Sequence, residues 1–250
     1  MTKETVGIDV AAQARSTGAC AVVWESGGAK IIHVEAGVND RRLLDLLSSE
    51  DAQRIGVDVP LGWPTAFVDA LARHHRGEPW GDLEDPPKGK TLTHRATDRW
   101  VHEQADLNFW PLSVSTDRIA YSAMRMARLL GQLGYSDRSG EGRVVEVYPA
   151  AALKSWGLRP RQYKRAEGRL NLSRLLQQLR EIAPWLEADD AIWDRLEGDE
   201  NQFDALICAL VARAVARREC RPIPPQHRAQ ASVEGWIQIP LQDSLHRLLD

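Results

Sequence analysis

Three strand-like runs open the chain, Thr5 to Ala11, Gly18 to Glu25 and Lys30 to Ala36, joined only by the short connections AQARST and SGG. Connections of that length make hairpins, so these strands form an antiparallel meander. Asn39 is a plausible N-cap for the apolar-periodic segment RRLLDLL, which reads as a helix from Asn39 to Ser48. That helix carries the chain across to a fourth strand, Arg54 to Pro60, which then lies parallel to the first. A mixed sheet is therefore expected within the first sixty residues.

Beyond it the pattern weakens. A short helix at Thr65 to His75 is followed by GEPWGDLEDPPKGKTLTHRATDRWVHE, rich in Pro, Gly and charge. A connection of this kind is typical of binding loops and active-site lids, and it is read as an insertion at about 62–115. Helical periodicity returns from Thr116 to Leu133, RVVEVYPA reads as a fifth strand, and after Tyr148-Pro149 the chain breaks away into a new helix. Further helices follow at about Tyr163 to Ile182 and Gln202 to Arg218, with WIQIP as a last short strand. The 250 residues, 43% of them hydrophobic, suit one sizeable α/β domain over 1–250 with that insertion.

The 32 basic and 35 acidic residues leave a formal net charge of -3, so any polyanion site must be local. Cys20, Cys208 and Cys220 lie far apart with no Cys-x-x-Cys pair, which suggests neither a zinc site nor a disulfide framework and fits a reducing cytosol. The N-terminus lacks the layout of a signal peptide, and no apolar run approaches about 18 residues. The expectation is a soluble cytoplasmic protein with no membrane partner.

Four acids stand inside apolar runs: Asp9 in VGIDVA, Asp58 in IGVDVP, Glu146 in VVEVYPA and Asp204 in FDALICALVA. Carboxylates are seldom fully buried unless paired or bound to a metal. If strands one and four are adjacent and parallel, Asp9 and Asp58 emerge side by side at the carboxyl edge, where such sheets place ligands. At helical spacing Asp204 shares a stripe with Ile207, Cys208, Val211 and Val215, the face a helix turns to its sheet, with Arg213 and Arg217 on another. Four converging carboxylates repel unless cations neutralise them, and hard oxygen donors select Mg²⁺ or Mn²⁺. Taken singly, each has a simpler reading: Asp9 and Asp58 as turn residues, Asp204 as a cap of its own helix, Glu146 as the partner of a lysine or arginine.

The ordered set GIDVA, STGACAVV, GVDVPLGWP, RATD, VEVYPAALKSWGL with YK, DALICALVARA and EGWI resembles domain-of-unknown-function family 429 over nearly the whole chain. Those bacterial and archaeal proteins are described as predicted nucleases of ribonuclease H-like fold. The resemblance implies a mixed five-stranded sheet, its first three strands antiparallel, flanked by helices. It also implies divalent metal held by acids on the first strand, the fourth strand and a C-terminal helix, here Asp9, Asp58 and Asp204. Asp204-Ala205 is also similar to the helix Asp-Ala of Holliday-junction resolvases. Glu146 is a family-type addition to that ligand set. The expected reaction is hydrolysis of a phosphodiester with two ions, Asp9 bridging both and Asp58, Asp204 and Glu146 each holding one.

A nucleic acid or other phosphodiester substrate needs positive partners. RPRQYKRAEGRLNLSR gathers Arg159, Arg161, Lys164, Arg165, Arg169 and Arg174 against a single Glu167, and Lys164 is the residue singled out, followed by Arg95 and Arg99 in the insertion. A solvated helix face explains most of that cluster equally well, and Arg95 has Asp98 as an alternative partner. Trp63, Trp80, Trp100 and Trp110 fall in or beside the insertion, where rings either stack on bases or pack the core. Glu234 in EGW reads as a further acid near the site or as part of a turn. Two other functions stay open. GIDVAAQARSTGACAVVW also resembles the first phosphate loop of actin-like ATP-dependent phosphotransferases, although the only Gly-Gly pair is Gly27-Gly28 and glycine is sparse after Gly142. A non-catalytic module that binds nucleic acid or protein on the same fold is the other.

Overall fold

The computed structural model describes residues 3–80, 89–107, 109–164 and 166–249. The elements run β1 (Lys3–Asp9), β2 (Gly18–Glu25), β3 (Gly28–Ala36), α1 (Asp40–Ser48), β4 (Ala52–Asp58), α2 (Thr65–His75), α3 (Gly89–Thr93), α4 (Ala96–Glu103) and α5 (Ile119–Gln132). They continue with β5 (Val144–Val147), α6 (Pro149–Ser155), α7 (Arg169–Ile182), β6 (Leu186–Glu187), α8 (Asp190–Gly198), α9 (Glu200–Ala216), α10 (Arg228–Glu234) and β7 (Ile237–Gln238).

The expected meander forms, with β1 antiparallel to β2 and β2 to β3. The Asn39 side chain accepts the Arg42 amide at 3.0 Å and starts α1, after which β4 returns parallel to β1. The strand count expected from the resemblance is corrected: among the described residues the sheet has 7 strands, in the order β6-β3-β2-β1-β4-β5-β7. The two extra strands are the edges. β6 and β7 each contain two residues, too few for alternation to mark, and such short edges limit pairing with other chains.

Helices cover both faces. On one, α1 and α5 bury Leu43, Leu47, Met126 and Leu129 against Val6, Ile8, Ile55 and Val57. On the other, α6, α7, α8 and α9 pack with Cys20, Val22, Trp24 and Val147. The single apolar stripe expected for α9 is too narrow: every residue from Gln202 to Ala214 is buried, Arg213 included, because α9 lies between the sheet and the α6 and α8 layer.

Its approach to the sheet is set by three glycines, Gly18 at its first turn and Gly7 and Gly56 along it. A Cβ on Gly7 would stand 1.9 Å from the Ala205 carbonyl oxygen, and one on Gly56 would stand 2.2 Å from that of Cys208. Only a residue without a side chain lets the helix backbone come so close. Positions two apart on a strand share a face, so Asp9 and Asp58 point to the same side as Gly7 and Gly56, toward the N-terminal half of α9.

The 62–115 segment is partly helical. It contains α2, where the sequence predicts a helix, and also α3 and α4, while the Pro-rich stretch at 81–88 lies outside the described residues. Among the described residues no helix is long and apolar enough to cross a membrane.

Candidate active site

Asp9 and Asp58 are the last residues of adjacent parallel strands and are paired in register, as the sequence predicts. One strand further, Glu146 of β5 pairs with Val57. Asp204 reaches the same edge from α9 and is completely buried. The Tyr163 hydroxyl donates to Asp204 Oδ1 at 2.7 Å. Lys164 Nζ stands 2.6 Å from Asp204 Oδ2, yet that oxygen has no hydrogen bond of ordinary geometry. Asp9, Asp58, Glu146, Tyr148 and Lys164 line a cleft of about 220 Å³.

Burial first, and neighbouring carboxylates second, raise the pH at which Asp9 and Asp58 titrate. Burial pushes the Asp9 carboxyl well above the ordinary carboxylate range, and the charges of Asp58 and then Asp204 push it further. Asp58 is pushed up to about 7, by burial first, with Asp204 and Glu146 adding to it and Lys164 pulling the other way. Burial works against the charge of Lys164, but Asp204, followed by Tyr163, Asp58 and Asp9, outweighs it and holds the ammonium well above its usual range. Lys164 is thus the internal counter-cation of the cluster, with its side chain still 52% exposed to the cleft.

Glu146 is held differently. Both of its oxygens receive Arg95, Nη2 to Oε1 and Nη1 to Oε2, each at 2.7 Å, and the Leu61 amide adds a third bond at 3.0 Å. Arg95 also binds Asp98 through Nε and Nη2 and is itself 2% exposed. Nearby, Glu234 accepts the Thr65 amide at 2.9 Å and the Ala96 amide at 2.7 Å, so one carboxylate caps the first residues of α2 and α4. Gly235, at φ +89°, completes the packing, since a Cβ there would stand 2.7 Å from Glu146 Oε2.

A family model described as a protein of unknown function (DUF429) matches residues 7–229. The chain belongs to the DUF429 family. No curated protein and no solved structure matches it.

In this DUF429 chain the structure therefore brings Asp9, Asp58, Asp204 and Lys164 together, with Glu146 beside them on the cleft wall. Both alternative partners weighed in the sequence are realised by one guanidinium, because Arg95 bridges Asp98 and Glu146; it is largely buried but still lines the cleft wall. Arg99 donates to the His94 carbonyl and does not line the cleft. Arg165 lies outside the described residues. Trp100 packs on Trp236 in a buried cluster, while Trp110 stacks on His102 and keeps 37% of its surface exposed. The sequence marks no site role for Tyr163 and Tyr148; the signal for Tyr163 is its place directly before Lys164 in the YK motif. Among the described residues no three acidic, histidine or cysteine side chains stand close enough to hold a metal ion as they are.

Proposed function

We propose that this chain is a divalent-metal-dependent phosphodiester hydrolase, a nuclease, built on a ribonuclease H-like sheet. The observation that carries this reading is the in-register pair Asp9 and Asp58 at the sheet edge that the buried Asp204 reaches from α9. The antiparallel meander, the parallel fourth strand and the helix laid on Gly7 and Gly56 support the fold assignment. The donor set fits Mg²⁺ or Mn²⁺: these are hard oxygen ligands, burial and then neighbouring carboxylates raise the proton affinity of Asp9 and Asp58, a cost that a divalent cation would offset, and Asp204 Oδ2 has no hydrogen bond of ordinary geometry. Asp9, Asp58 and Asp204 would hold the metal, and Glu146, its oxygens engaged by Arg95, would shape the wall beside it. When bound, divalent ions activate water and offset charge on a phosphodiester in in-line displacement.

The chain's own groups supply the rest. Lys164 neutralises the acids in the free protein and, on its exposed side chain, is placed to meet a phosphate oxygen. Tyr163 fixes the orientation of Asp204 by its hydrogen bond. The Lys164 and Asp204 ion pair also favours a second reading, a binding module whose acids are already neutralised. The phosphotransferase alternative draws no support from the β1–β2 connection, which Thr17 folds onto itself by accepting the Ala11 amide and donating to the Gln13 carbonyl. Calorimetric titration with Mn²⁺ should show binding to the unmodified protein and at least a tenfold loss in Asp9→Asn. Single strands, duplexes, hybrids and branched junctions are then assayed with Mn²⁺. Product formed equally by Asp9→Asn rules the hydrolase out, and binding without product selects the module.

A further inference from the structure

Residues 154–164, from the end of α6 into the connection to α7, alternate in an informative way. Trp156, Leu158 and Tyr163 are buried, at 6%, 6% and 3% exposure, and two are pinned by side-chain bonds: Trp156 Nε1 donates to Ser244 Oγ at 3.0 Å and Tyr163 to Asp204. Arg159 and Arg161 between these anchors, and Lys154 and Lys164 flanking them, are exposed. The strap is therefore fixed at its apolar positions and presents a line of positive charge that ends inside the acidic cleft. Arg159 and Arg161 have no ion-pair partner among the described residues.

This line borders a second depression of about 620 Å³, walled by Lys154, Arg159, Arg161, Phe109 and Tyr148. Tyr148 also lines the acidic cleft, so the two spaces meet at its ring. Phe109 and Tyr148 stand edge to face with centroids 5.1 Å apart, both only partly buried. The one acid of this wall, Asp106, is already paired with Arg221. A row of cations beside aromatic rings is the chemistry that holds unpaired nucleotides, since rings stack on a base of any sequence while cations follow the backbone. A duplex keeps its bases stacked on one another and offers no face to Phe109 or Tyr148.

We propose that this depression binds single-stranded nucleic acid, the backbone along Arg159 and Arg161 and a base against Phe109 and Tyr148, delivering the adjoining phosphodiester to the acidic cleft. The inference rests on the hydrolase reading and narrows its substrate to an unpaired strand. It is tested by fluorescence polarisation in EDTA at low salt, with a labelled oligo(dT) of about twelve nucleotides and the matching duplex, lengths within the site sizes of such proteins. The single strand should bind at least tenfold tighter than the duplex. Arg159→Ala with Arg161→Ala should lower the salt slope of log K by about 1.4, the value for two phosphate contacts on a single strand. Phe109→Leu, which keeps an apolar side chain in the packing against Val101 and Leu107, should weaken binding about fivefold or more with the slope unchanged. Equal or tighter binding of the duplex, variants that bind like the unmodified protein, or no binding of the strand overturns the proposal. Because metal is excluded, the two readings fail separately. Strand binding with no Mn²⁺-dependent hydrolysis of any nucleic acid removes the reaction and keeps this surface; hydrolysis of bis(p-nitrophenyl) phosphate without strand binding does the reverse.

Discussion

Asp58 carries a carboxyl that the free fold prefers to keep protonated. Its pKa stands at about 7 in the folded chain against 3.8 for an unperturbed aspartate, so between these values the folded state holds a proton that the unfolded state has released. Stability contributed at this site is therefore withdrawn as pH rises from about 4 to 7, and at pH 8 the ionised group costs the metal-free protein free energy. Asp58→Asn should raise the melting temperature at pH 8 by about 3–6 °C, corresponding to roughly 1–2 kcal/mol, with little gain at pH 4. A melting temperature that falls at pH 8 would show that the attraction to Lys164 outweighs the burial. Asp9, Asp58 and Asp204 were legible in the sequence because each breaks an apolar run at an element end or on a buried face. That Glu146 pairs with a lysine or arginine was one of its readings, but which one was not legible, since Arg95 lies 51 residues away at the N-cap of α4. Local pattern does not carry a contact of that separation.

The close seating of α9 on β1 and β4 depends on glycine at Gly7 and Gly56, and it brings Asp204 level with the strand-end acids. Gly7→Ala would drive a methyl group into the Ala205 carbonyl, backbone that cannot step aside without lifting the helix. The expected cost is at least about 3 kcal/mol, a fall of roughly 6–12 °C in melting temperature, read by calorimetry or circular dichroism. An unchanged melting temperature would mean that α9 is not seated so closely. The long strands and helices followed from period and turn chemistry, and α2 begins and ends where the sequence predicts, at Thr65–His75. What escaped the sequence lacked period: β6 and β7 are too short to alternate. In α9, full burial erased the polar face that a stripe needs.

Three layers, helices on both faces of one mixed sheet, hold the acids of β1, β4 and α9 at a single edge, so ligand binding there is coupled to the stability of the whole chain. At Mn²⁺ a hundredfold above its dissociation constant, linkage adds about 2.7 kcal/mol, and the melting temperature should rise by about 5–10 °C at pH 8. Asp9→Asn should lose most of that rise; a rise of the same size in this variant would place the ion elsewhere. Glu234, in α10, touches none of this chemistry, yet it accepts one amide from α2 and one from α4. Two helices that start on the same carboxylate are tied to one another through α10, because displacing either one breaks a hydrogen bond to the buried Glu234. The starts of α2 and α4, at Thr65 and Ala96, are thus fixed by a residue far along the chain.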